Sequence, residues 1–474
     1  MTAPEAEPAA TEPAATGPAA DDGAPMELLS GWSRTPVSAA HVVRPGSRDE
    51  LASAAKLAGT RGLIPRGLGR AYGDSAMNAG GTVVVSTGVS GLLELDDATG
   101  VARVLAGTSL HELMRLVVPR GWFPPVTPGT RYITIGGAIA ADIHGKDHHV
   151  GGSFGRHVRS LVLAQPDGTN LTLTPEAHGD AFWATVGGMG LTGTILEATI
   201  ALHPIPTSML AVDTDRVPDL DTALAVLQEG AEHHRYSVAW LDLLVSGRQL
   251  GRSVITQADF APVEALAGGR TPADPLTYDA MEPVPAPPLP SGLLNRLSIR
   301  AFNELYYRYA PRERRGELQS ITRYFYPLDI AGGWNRMYGR RGFLQWQFMV
   351  PFGEEATLRE LIESLAQQDA GSFLTVLKMF GEASPGHLSF PGPGWTLALD
   401  VPSTCKGLGP LLDRLDRRVA DVGGRLYLAK ESRMRPELVP VMYPRLDEWR
   451  EVRDRLDPDR RLASDLARRL RLLG

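Results

Sequence analysis

The segment at residues 136–152, GGAIAADIHGKDHHVGG, concentrates residue types that could do chemistry. Three of the chain's 11 histidines fall within six residues, beside two aspartates and between glycine pairs. His144 and His148 have the four-residue spacing of zinc ligands, but Gly145 disfavours a helix and no H-E-x-x-H motif occurs. Alternatively, glycine turns hold a flat, phosphorylated cofactor against His144, while His148 and His149 are satisfied polar residues in a tight turn. We favour the cofactor contact over the metal site.

Two further glycine-rich segments occur in the first half of the chain. Residues 63–75 (LIPRGLGRAYGDS) end a short apolar strand and open into glycines, whose backbone N–H groups can form an anion-binding concavity for a pyrophosphate. Residues 187–193 (GGMGLTG) have the G-x-G-x-x-G spacing. A Rossmann loop leaves a strand and opens a helix, whereas this segment follows a helix-like stretch and precedes a strand-like one. That order argues against an NAD-type site.

The elements that must position these loops have an α+β pattern over about residues 37–204. Ser109 and Glu112 predict a capping box at the start of a helix, and residues 159–175 predict a hairpin with a Pro-Asp-Gly turn. Beyond about residue 207, polar helices alternate with strand-like GFLQWQFMVPF and GWTLALDVP, so a second domain with a sheet is expected. A proline-rich stretch at about 261–294 predicts a mobile surface loop.

The composition limits the class of protein. The 474 residues are 43% hydrophobic and 22% charged, as in ordinary globular proteins of two or three domains. A formal net charge of −6 argues against nucleic-acid binding. The single cysteine, Cys405, excludes an internal disulfide framework and any cysteine-rich metal site.

The first 25 residues form an acidic stretch rich in alanine and proline, which predicts a disordered tail because it offers almost no large apolar side chain to bury. The tail lacks the basic and apolar regions of a signal peptide, and no apolar run is long enough to span a membrane. These features favour a cytoplasmic location by default. A periplasmic location stays open, because export together with a partner leaves no trace in a sequence.

Three stretches together resemble a known family: residues 66–81 (RGLGRAYGDSAMNAGG), residues 126–160 and residues 182–200 (FWATVGGMGLTGTILEATI). They are similar to the FAD domain (PCMH type) of the vanillyl-alcohol-oxidase superfamily. Within it, the segments GFLQWQFMVP, FLTVLKMFGEAS, GGRLYLAKESR and MYPRLDEW resemble the oxidases of the decaprenylphosphoryl-ribose 2′-epimerase family. The resemblance covers residues from about 31 to 474 and is poor only in the proline-rich stretch.

The resemblance implies a two-domain α+β flavoprotein with a discontinuous FAD-binding domain and a sheet-containing substrate cap. The FAD domain would span residues 31–207 and be completed by a C-terminal return at 425–474, with the cap at 208–424. The implied reaction is oxidation of the 2′-hydroxyl of decaprenylphosphoryl-β-D-ribose to a ketone, which leaves reduced FAD. A separate NAD(P)H-dependent short-chain reductase then completes epimerisation to the arabinose donor for cell-wall arabinan.

By the same resemblance, two glycine loops wrap the FAD, with additional contacts from the middle and the end of the chain. The implied cofactor-binding residues are Pro65, Arg66, Gly67, Leu68, Gly69, Arg70, Ala71, Tyr72, Gly73, Asp74, Ser75, Gly129, Thr134, Ile135, Gly136, Gly137, Ala141, Asp142, Ile143, His144, Ile195 and Tyr427. Many superfamily relatives carry a histidine bonded covalently to the flavin at the position of Arg70. Arginine cannot form that bond, so we predict non-covalent FAD.

The family's essential lysine matches Lys430, which either accepts the hydroxyl proton or stays charged and stabilises the reduced flavin. A base role requires a pKa lowered from about 10.4 by burial or neighbouring cations. Tyr72 and His144 match residues beside the flavin ring and are the other two implied catalytic residues, which either relay a proton or position the sugar. The implied substrate-binding residues are Trp240, Gln345, Gln347, Lys378, Phe380, Thr396, Ala398 and Lys430, with Lys378 a candidate for the phosphate. No metal is expected.

Two positions depart from the family. Ala398 aligns with a cysteine that traps covalent nitroaromatic inhibitors, so we expect oxidation to survive and covalent inhibition to fail. Thr396 replaces an asparagine, which puts details of sugar recognition in doubt. Two alternatives remain: a soluble FAD-dependent alditol or aldonolactone oxidase, and a non-catalytic flavin-binding protein. A lipid substrate implies peripheral membrane contact, for which the C-terminal RRLRLLG is either a basic patch or a solvated helix face.

Overall fold

The computed structural model describes residues 24–267, 274–285, 295–368, 372 and 374–474. The acidic tail expected at residues 1–25 lies outside the described residues apart from its last two. Much of the expected loop at about 261–294 also lies outside them. In its described part at 274–285, the carbonyls of Ala280 and Met281 accept from the Arg131 guanidinium at 2.7 Å and 2.6 Å. The mobility of this loop stays a prediction.

The described strands, in chain order, are β1 (Met26–Ser30), β2 (Val37–Val43), β3 (Leu63–Arg66), β4 (Thr82–Val85), β5 (Leu92–Asp96), β6 (Val101–Leu105), β7 (Trp122–Phe123), β8 (Val158–Ala164), β9 (Asn170–Leu173), β10 (Thr194–Ala201), β11 (His203–Pro204), β12 (Met209–Val217), β13 (Tyr236–Leu241), β14 (Ser253–Phe260), β15 (Val284–Pro285), β16 (Glu313–Ser320), β17 (Ala331–Gly332), β18 (Phe343–Pro351), β19 (Thr375–Phe380), β20 (Gly394–Pro402) and β21 (Arg425–Leu426). The described α-helices are α1 (Arg48–Ala54), α2 (Leu110–Val117), α3 (Ile135–Ala140), α4 (His148–Gly151), α5 (Gly179–Thr185), α6 (Leu220–Ala231), α7 (Arg296–Tyr309), α8 (Ile321–Phe325), α9 (Glu355–Gln367), α10 (Leu408–Asp421), α11 (Val439–Met442), α12 (Leu446–Leu456) and α13 (Asp465–Arg469).

Three sheets carry the architecture. The first has the order β1-β2-β4-β3, and the second is an antiparallel sheet of order β5-β6-β10-β8-β9. The third is an eight-stranded antiparallel sheet of order β16-β12-β14-β13-β19-β20-β18-β21. The division into an FAD domain at 31–207 with a return at 425–474, and a cap at 208–424, remains a proposal.

Several local predictions are confirmed. Helix α2 begins with a complete capping box, in which the Ser109 hydroxyl accepts from the Glu112 backbone and the Glu112 carboxylate accepts from the Ser109 N–H. Its buried face, Leu110, Leu113, Met114 and Val117, packs into the core beside β6 and β10. Strands β8 and β9 form the expected hairpin. In the 187–193 segment, α5 precedes and β10 follows, which is the reverse of a Rossmann loop.

The end of the chain packs into the first sheet. Leu63 of β3 accepts from Ala463 and donates to Arg461, and the Arg469 guanidinium pairs with Asp74 at 2.8 Å and Glu431 at 3.0 Å. Leu470 and Leu472 of RRLRLLG are buried. Arg469 neutralises these two internal carboxylates, whereas Arg471 is exposed, so the expectation of a basic membrane patch or a solvated helix face stays a prediction.

The stretch around Lys430 follows the short strand β21, which ends at Leu426. The Lys430 N–H donates to the Tyr427 carbonyl at 2.9 Å, so the chain turns. This turn, rather than an extended strand, brings Lys430 to the cavity described next.

Candidate active site

A cavity of about 800 Å³ lies between the glycine loops and one face of the eight-stranded sheet. Successive side chains of a strand point to opposite faces, so alternate residues should share the cavity. That pattern is observed, apart from β16, whose pairing with β12 is irregular. The sheet residues that line the cavity are Thr214, Val238, Trp240, Val254, Thr256, Arg314, Glu317, Gln319, Gln345, Gln347, Val376, Lys378 and Ala398.

The loop at residues 67–72 forms the opposite wall. The N–H groups of residues 68–71 donate no hydrogen bond to any residue that the structure describes, so they are available to an anion. Gly69 has a φ of +66°, which a side chain would strain. A Cβ on Gly67 would lie 2.2 Å from the Thr134 hydroxyl, so the two loops can approach only through glycine. This wall fits the pyrophosphate of FAD.

All but four of the predicted cofactor-binding residues line the cavity. The exceptions have other contacts. Asp74 pairs with Arg469, Ile135 lies in the hydrophobic core, and a Cβ on Gly73 would meet the Glu431 carbonyl at 2.1 Å. The buried Asp142 carboxylate accepts from the Gly155 N–H at 2.9 Å and from the Ser389 hydroxyl. Gly73, Asp74, Ile135 and Asp142 therefore support the loops from behind the cavity wall, and their contact with FAD stays a prediction.

Lys430 lies at the centre of the cavity wall, with its Nζ 3.8 Å from the centre of the Tyr72 ring. Burial lowers the pKa of Lys430 strongly, the nearby negative charge of Asp400 opposes that shift, and the positive charge of Lys378 adds to it. Burial and the charge of Asp400 hold the pKa of Tyr72 well above its usual range, so Tyr72 keeps its proton. A lysine in this setting can hold or release a proton near neutral pH.

Asp400 is a buried carboxylate that the sequence reasoning missed. It faces Gln345 across the β18–β20 pair, and the Gln345 amide donates to its Oδ1 at 2.5 Å. Its Oδ2 is buried with no hydrogen-bond partner among the described residues. Burial raises the pKa of Asp400, whereas Gln345 and Lys430 lower it. We propose that Asp400 acts through Lys430 and Gln345 as a positioning residue.

His144 is neutral, because burial and the charges of Lys378, His148 and Lys430 hold its pKa well below the usual range. Its Nε2 lies 2.9 Å from the Gln347 amide nitrogen, which can only donate. With the Gln347 amide in this orientation, the proton of His144 is on Nδ1, a buried atom with no hydrogen-bond partner in the described part of the chain. Such an atom is a hydrogen-bond donor for a bound cofactor or substrate.

Two predicted substrate residues lie behind the cavity wall. Thr396 accepts from the Gln347 amide at 3.2 Å and donates to the Phe348 carbonyl at 2.8 Å. Phe380 is buried, with its ring centre 4.8 Å from that of His144. Neither lines the cavity, and their contacts orient Gln347 and His144, so direct substrate contact of Thr396 and Phe380 stays a prediction.

Two further lysines, Lys378 and Lys146, line the same cavity as Lys430 and His144. Burial lowers the pKa of Lys378 to about 8, although Asp147 raises it. Burial and then the charge of Lys378 lower the pKa of Lys146 to about 7. The Lys146 ammonium donates to the Tyr324 carbonyl at 2.6 Å. Both lysines line the cavity, and the sequence reasoning had missed Lys146.

The other histidines of the opening motif have structural partners. His148 bonds to the Ser153 hydroxyl at 3.1 Å and accepts from the Gly381 N–H at 3.1 Å. His149 bonds to the His234 carbonyl at 3.0 Å. Within the ranges that the structure describes, no group of three or more histidine, cysteine or acidic residues could hold a metal ion. Likewise, no described helix is long and apolar enough to cross a membrane.

Comparison with known proteins accounts for this arrangement. Residues 39–174 match the model of the FAD binding domain. Decaprenylphosphoryl-beta-D-ribose oxidase of Mycolicibacterium smegmatis is 43% identical over 451 residues, covering 94% of this chain and 97% of that protein. The chain belongs to this oxidase family. It is therefore an FAD-dependent oxidoreductase with a two-domain α+β flavoprotein fold, and these predictions are confirmed.

Other relatives are consistent with the family. An uncharacterized protein of Streptomyces coelicolor is 42% identical over 374 residues, 77% of this chain and 100% of that protein. Cytokinin dehydrogenase 1 of Oryza sativa subsp. japonica is 27% identical over 244 residues, 48% of this chain and 46% of that protein. The model of D-arabinono-1,4-lactone oxidase matches residues 410–470 alone, which does not favour an aldonolactone oxidase over the lipid-linked sugar oxidase.

The environment of Arg70 supports the prediction of non-covalent FAD. Its guanidinium carbon lies 3.8 Å from the centre of the Trp32 ring, a cation–π contact at the cavity wall. Arginine has no nucleophilic atom for a flavin bond. We expect acid precipitation to leave the flavin in the supernatant, measured by its visible absorption. Flavin that stays with the pelleted protein would contradict this prediction.

Replacing Asp400 tests its influence on Lys430. The change Asp400→Asn removes a negative charge, so the pKa of Lys430 should fall further. Whichever protonation state of Lys430 the reaction needs, the limb of the pH–rate profile that follows Lys430 should move to lower pH by about one unit. The measurement is the rate of flavin reduction against pH.

Asp416→Asn is a matched control. Burial raises the pKa of Asp416 to about 7, but this carboxylate pairs with Arg433 at 2.7 Å and is not part of the cavity wall. The Asp416→Asn substitution should leave the limb of the pH–rate profile at the same pH as in the wild type. A purely structural role of Asp400 would lower the rate at every pH without moving the limb, and that result would contradict the assignment.

Proposed function

We propose that this chain oxidises the 2′-hydroxyl of a polyprenylphosphoryl-β-D-ribose, with decaprenylphosphoryl-β-D-ribose as the first candidate, to the 2′-ketone. The observation that carries this proposal is the convergence of buried Lys430, neutral His144 and two glutamines on a cavity whose opposite wall fits FAD. Membership of the oxidase family supports it. When bound, FAD supplies the acceptor for the hydride that leaves the carbon bearing the hydroxyl.

Side chains of the protein bind the sugar and interact with the proton of its 2′-hydroxyl. Lys430 either accepts that proton or, as an ammonium, orients the hydroxyl by donating to its oxygen. The Nδ1–H of His144 and the second N–H of the Gln345 amide are donors that can hold the remaining sugar oxygens. Gln347 uses both of its N–H hydrogens on His144 and Thr396, so it offers only its amide oxygen, as an acceptor. Because His144 is neutral, it adds no positive charge that would depress the basicity of Lys430. Tyr72 covers Lys430 and excludes water from one side.

The phosphate and the lipid have distinct surroundings. Lys378 and Lys146 supply two cationic groups suited to a phosphodiester. Beyond them, the sheet face presents Val238, Val254 and Val376, and Trp240 packs on Tyr306 with ring centres 4.6 Å apart. We infer that the phosphate binds the lysines and that the first prenyl units follow this apolar face outward.

Product analysis tests the proposed reaction. Incubation with a polyprenylphosphoryl-ribose and an electron acceptor should yield a product two hydrogens lighter, whose ketone is trapped by borohydride at C2′. Free alditols and aldonolactones serve as matched substrates and should not react. Oxidation of the free polyols without the lipid phosphate would favour the alternative oxidase, and no oxidation of any substrate would favour a non-catalytic flavoprotein.

The 2′-ketone requires a second enzyme for epimerisation. The proposed partner is an NAD(P)H-dependent short-chain reductase that returns a hydride to the opposite face of C2′. The support for this partner is chemical: oxidation removes the stereocentre, and only a reduction can restore it with the opposite configuration.

A further inference from the structure

Helix α7 presents an apolar face to solvent beside the mouth of the cavity. Phe302, Leu305, Tyr306 and Tyr309 follow the i, i+3, i+4, i+7 spacing of one helix face, and their exposed fractions are 46%, 56%, 42% and 85%. Leu297, in the first turn, is 79% exposed. A soluble protein seldom leaves so many large apolar side chains of one helix in water, which indicates an interaction surface.

This face is surrounded by positive charge. Residues 295–316 contain six arginines and two glutamates, a net charge of +4, in a chain whose net charge is −6. All six arginines are exposed. Among them, Arg308 pairs with Glu304, Arg314 with Glu317 at 3.2 Å, and Arg315 with Asp215 at 2.8 Å. The local excess of arginine is complementary to an anionic surface.

The face continues into the active-site cavity. Tyr306 and Tyr309 line the cavity mouth, and so does Arg314 in the strand that follows. Tyr306 also packs on Trp240 inside the cavity. A lipid-linked substrate that enters with its sugar toward Lys430 must leave its chain at this mouth. The exposed helix is therefore where that chain meets its surroundings.

We propose that helix α7 docks on an anionic lipid bilayer, with Phe302, Leu305 and Tyr309 at the level of the acyl chains and the flanking arginines at the headgroups. This proposal rests on the proposed function, because an enzyme with a lipid-linked substrate must take that substrate from a membrane. Bulk binding to the bilayer, however, needs no substrate and can be measured separately.

The test is flotation of the full-length holoprotein with vesicles of phosphatidylcholine containing phosphatidylglycerol. We expect wild-type protein to float, and to float less with phosphatidylcholine alone or at high salt. The double variant Leu297→Glu/Leu305→Glu should bind at least about tenfold more weakly, because each glutamate would carry charge into the interface. Neither leucine lines the cavity.

Leu28→Glu/Leu116→Glu is the matched control, since these leucines are 77% and 47% exposed elsewhere and the charge change is identical. It should float like the wild type. Three flotation results would overturn the proposal: wild-type protein that does not float with anionic vesicles, an α7 variant that floats as well as the wild type, or a control variant that loses as much vesicle binding as the α7 variant. So would a lipid-free sedimentation experiment in which the wild type is a dimer and the α7 variant a monomer, because the face would then bind a second copy.

A second readout separates this proposal from the proposed function. Both α7 and control variants should oxidise a short-chain, water-soluble prenylphosphoryl-ribose at the wild-type rate. If the wild type does not oxidise that substrate, the proposed function fails, while flotation still decides whether α7 binds the bilayer. A variant slow on the soluble substrate would show that α7 shapes the catalytic cavity rather than docking, which also contradicts the proposal.

Discussion

Replacing Lys430 with alanine is expected to slow the anaerobic reduction of bound flavin by substrate by about 10³-fold. The reason is that the substitution removes the ammonium group that lies against the Tyr72 ring and interacts electrostatically with Asp400. FAD should stay bound, because Lys430 does not belong to the glycine loops that fit its pyrophosphate. Stopped-flow absorption of the flavin measures the rate, and the flavin content of the purified variant checks binding.

Lys430→Arg distinguishes the two roles left open for this residue. An arginine retains the charge but cannot accept a proton at neutral pH, so it restores the rate only if Lys430 acts as a cation. Lys406→Ala, at an exposed site outside the cavity, is the control and should behave as the wild type. Flavin reduction by Lys430→Ala at the wild-type rate would remove Lys430 from the mechanism.

Replacing Lys378 with alanine is expected to raise KM for the phosphorylated substrate by about 10- to 100-fold, with a smaller change in kcat. A charge-assisted hydrogen bond to phosphate is worth about 1.5–3 kcal/mol, which corresponds to that range. Burial lowers the pKa of Lys378 to about 8, so the free enzyme should lose substrate affinity as the pH rises through that value. Steady-state kinetics against pH measure both effects.

A riboside without phosphate gives the internal control for Lys378. The wild type and Lys378→Ala should bind this analogue equally weakly, because neither can form a lysine–phosphate interaction with it. Lys378→Arg should recover part of the affinity. An equal loss with both substrates would mean that the substitution disturbs the cavity as a whole, and the phosphate assignment would then be wrong.

The local features of the site could be predicted from the sequence because their causes are local. The loop at 67–73 is rich in glycine because its backbone must approach another backbone or a phosphate closely. The capping box of α2 depends only on two residues three positions apart. The alternation within GFLQWQFMVPF was enough to place Gln345 and Gln347 on one face of β18. The resemblance then identified Lys430, which in isolation would be read as a surface lysine.

What could not be predicted depends on pairings between distant parts of the chain. Asp400 reaches the catalytic cluster because β20 pairs with β18 in a register that sets it opposite Gln345. Asp74 lies within a predicted FAD loop, yet it is neutralised by Arg469, 395 residues later. The same ion pair joins Arg469, in a C-terminal segment that reads as a basic patch, to a buried carboxylate.

The exposed apolar face of α7 also needed the structure. Its aromatic and aliphatic residues have ordinary helical spacing, which by itself predicts a buried stripe. Only the packing shows that Ile299 and Asn303 face inward while Phe302, Leu305 and Tyr309 face water.

The most direct test of the account is the visible spectrum of the purified protein, recorded anaerobically before and after adding a polyprenylphosphoryl-β-D-ribose. We expect the absorption bands of oxidised flavin in the untreated protein and their loss when the substrate is added. Bands that persist with the lipid-linked ribose would contradict the proposed reaction while leaving the flavoprotein fold intact. If the lipid-linked sugar leaves the bands unchanged but a free polyol bleaches them, the substrate assignment is wrong.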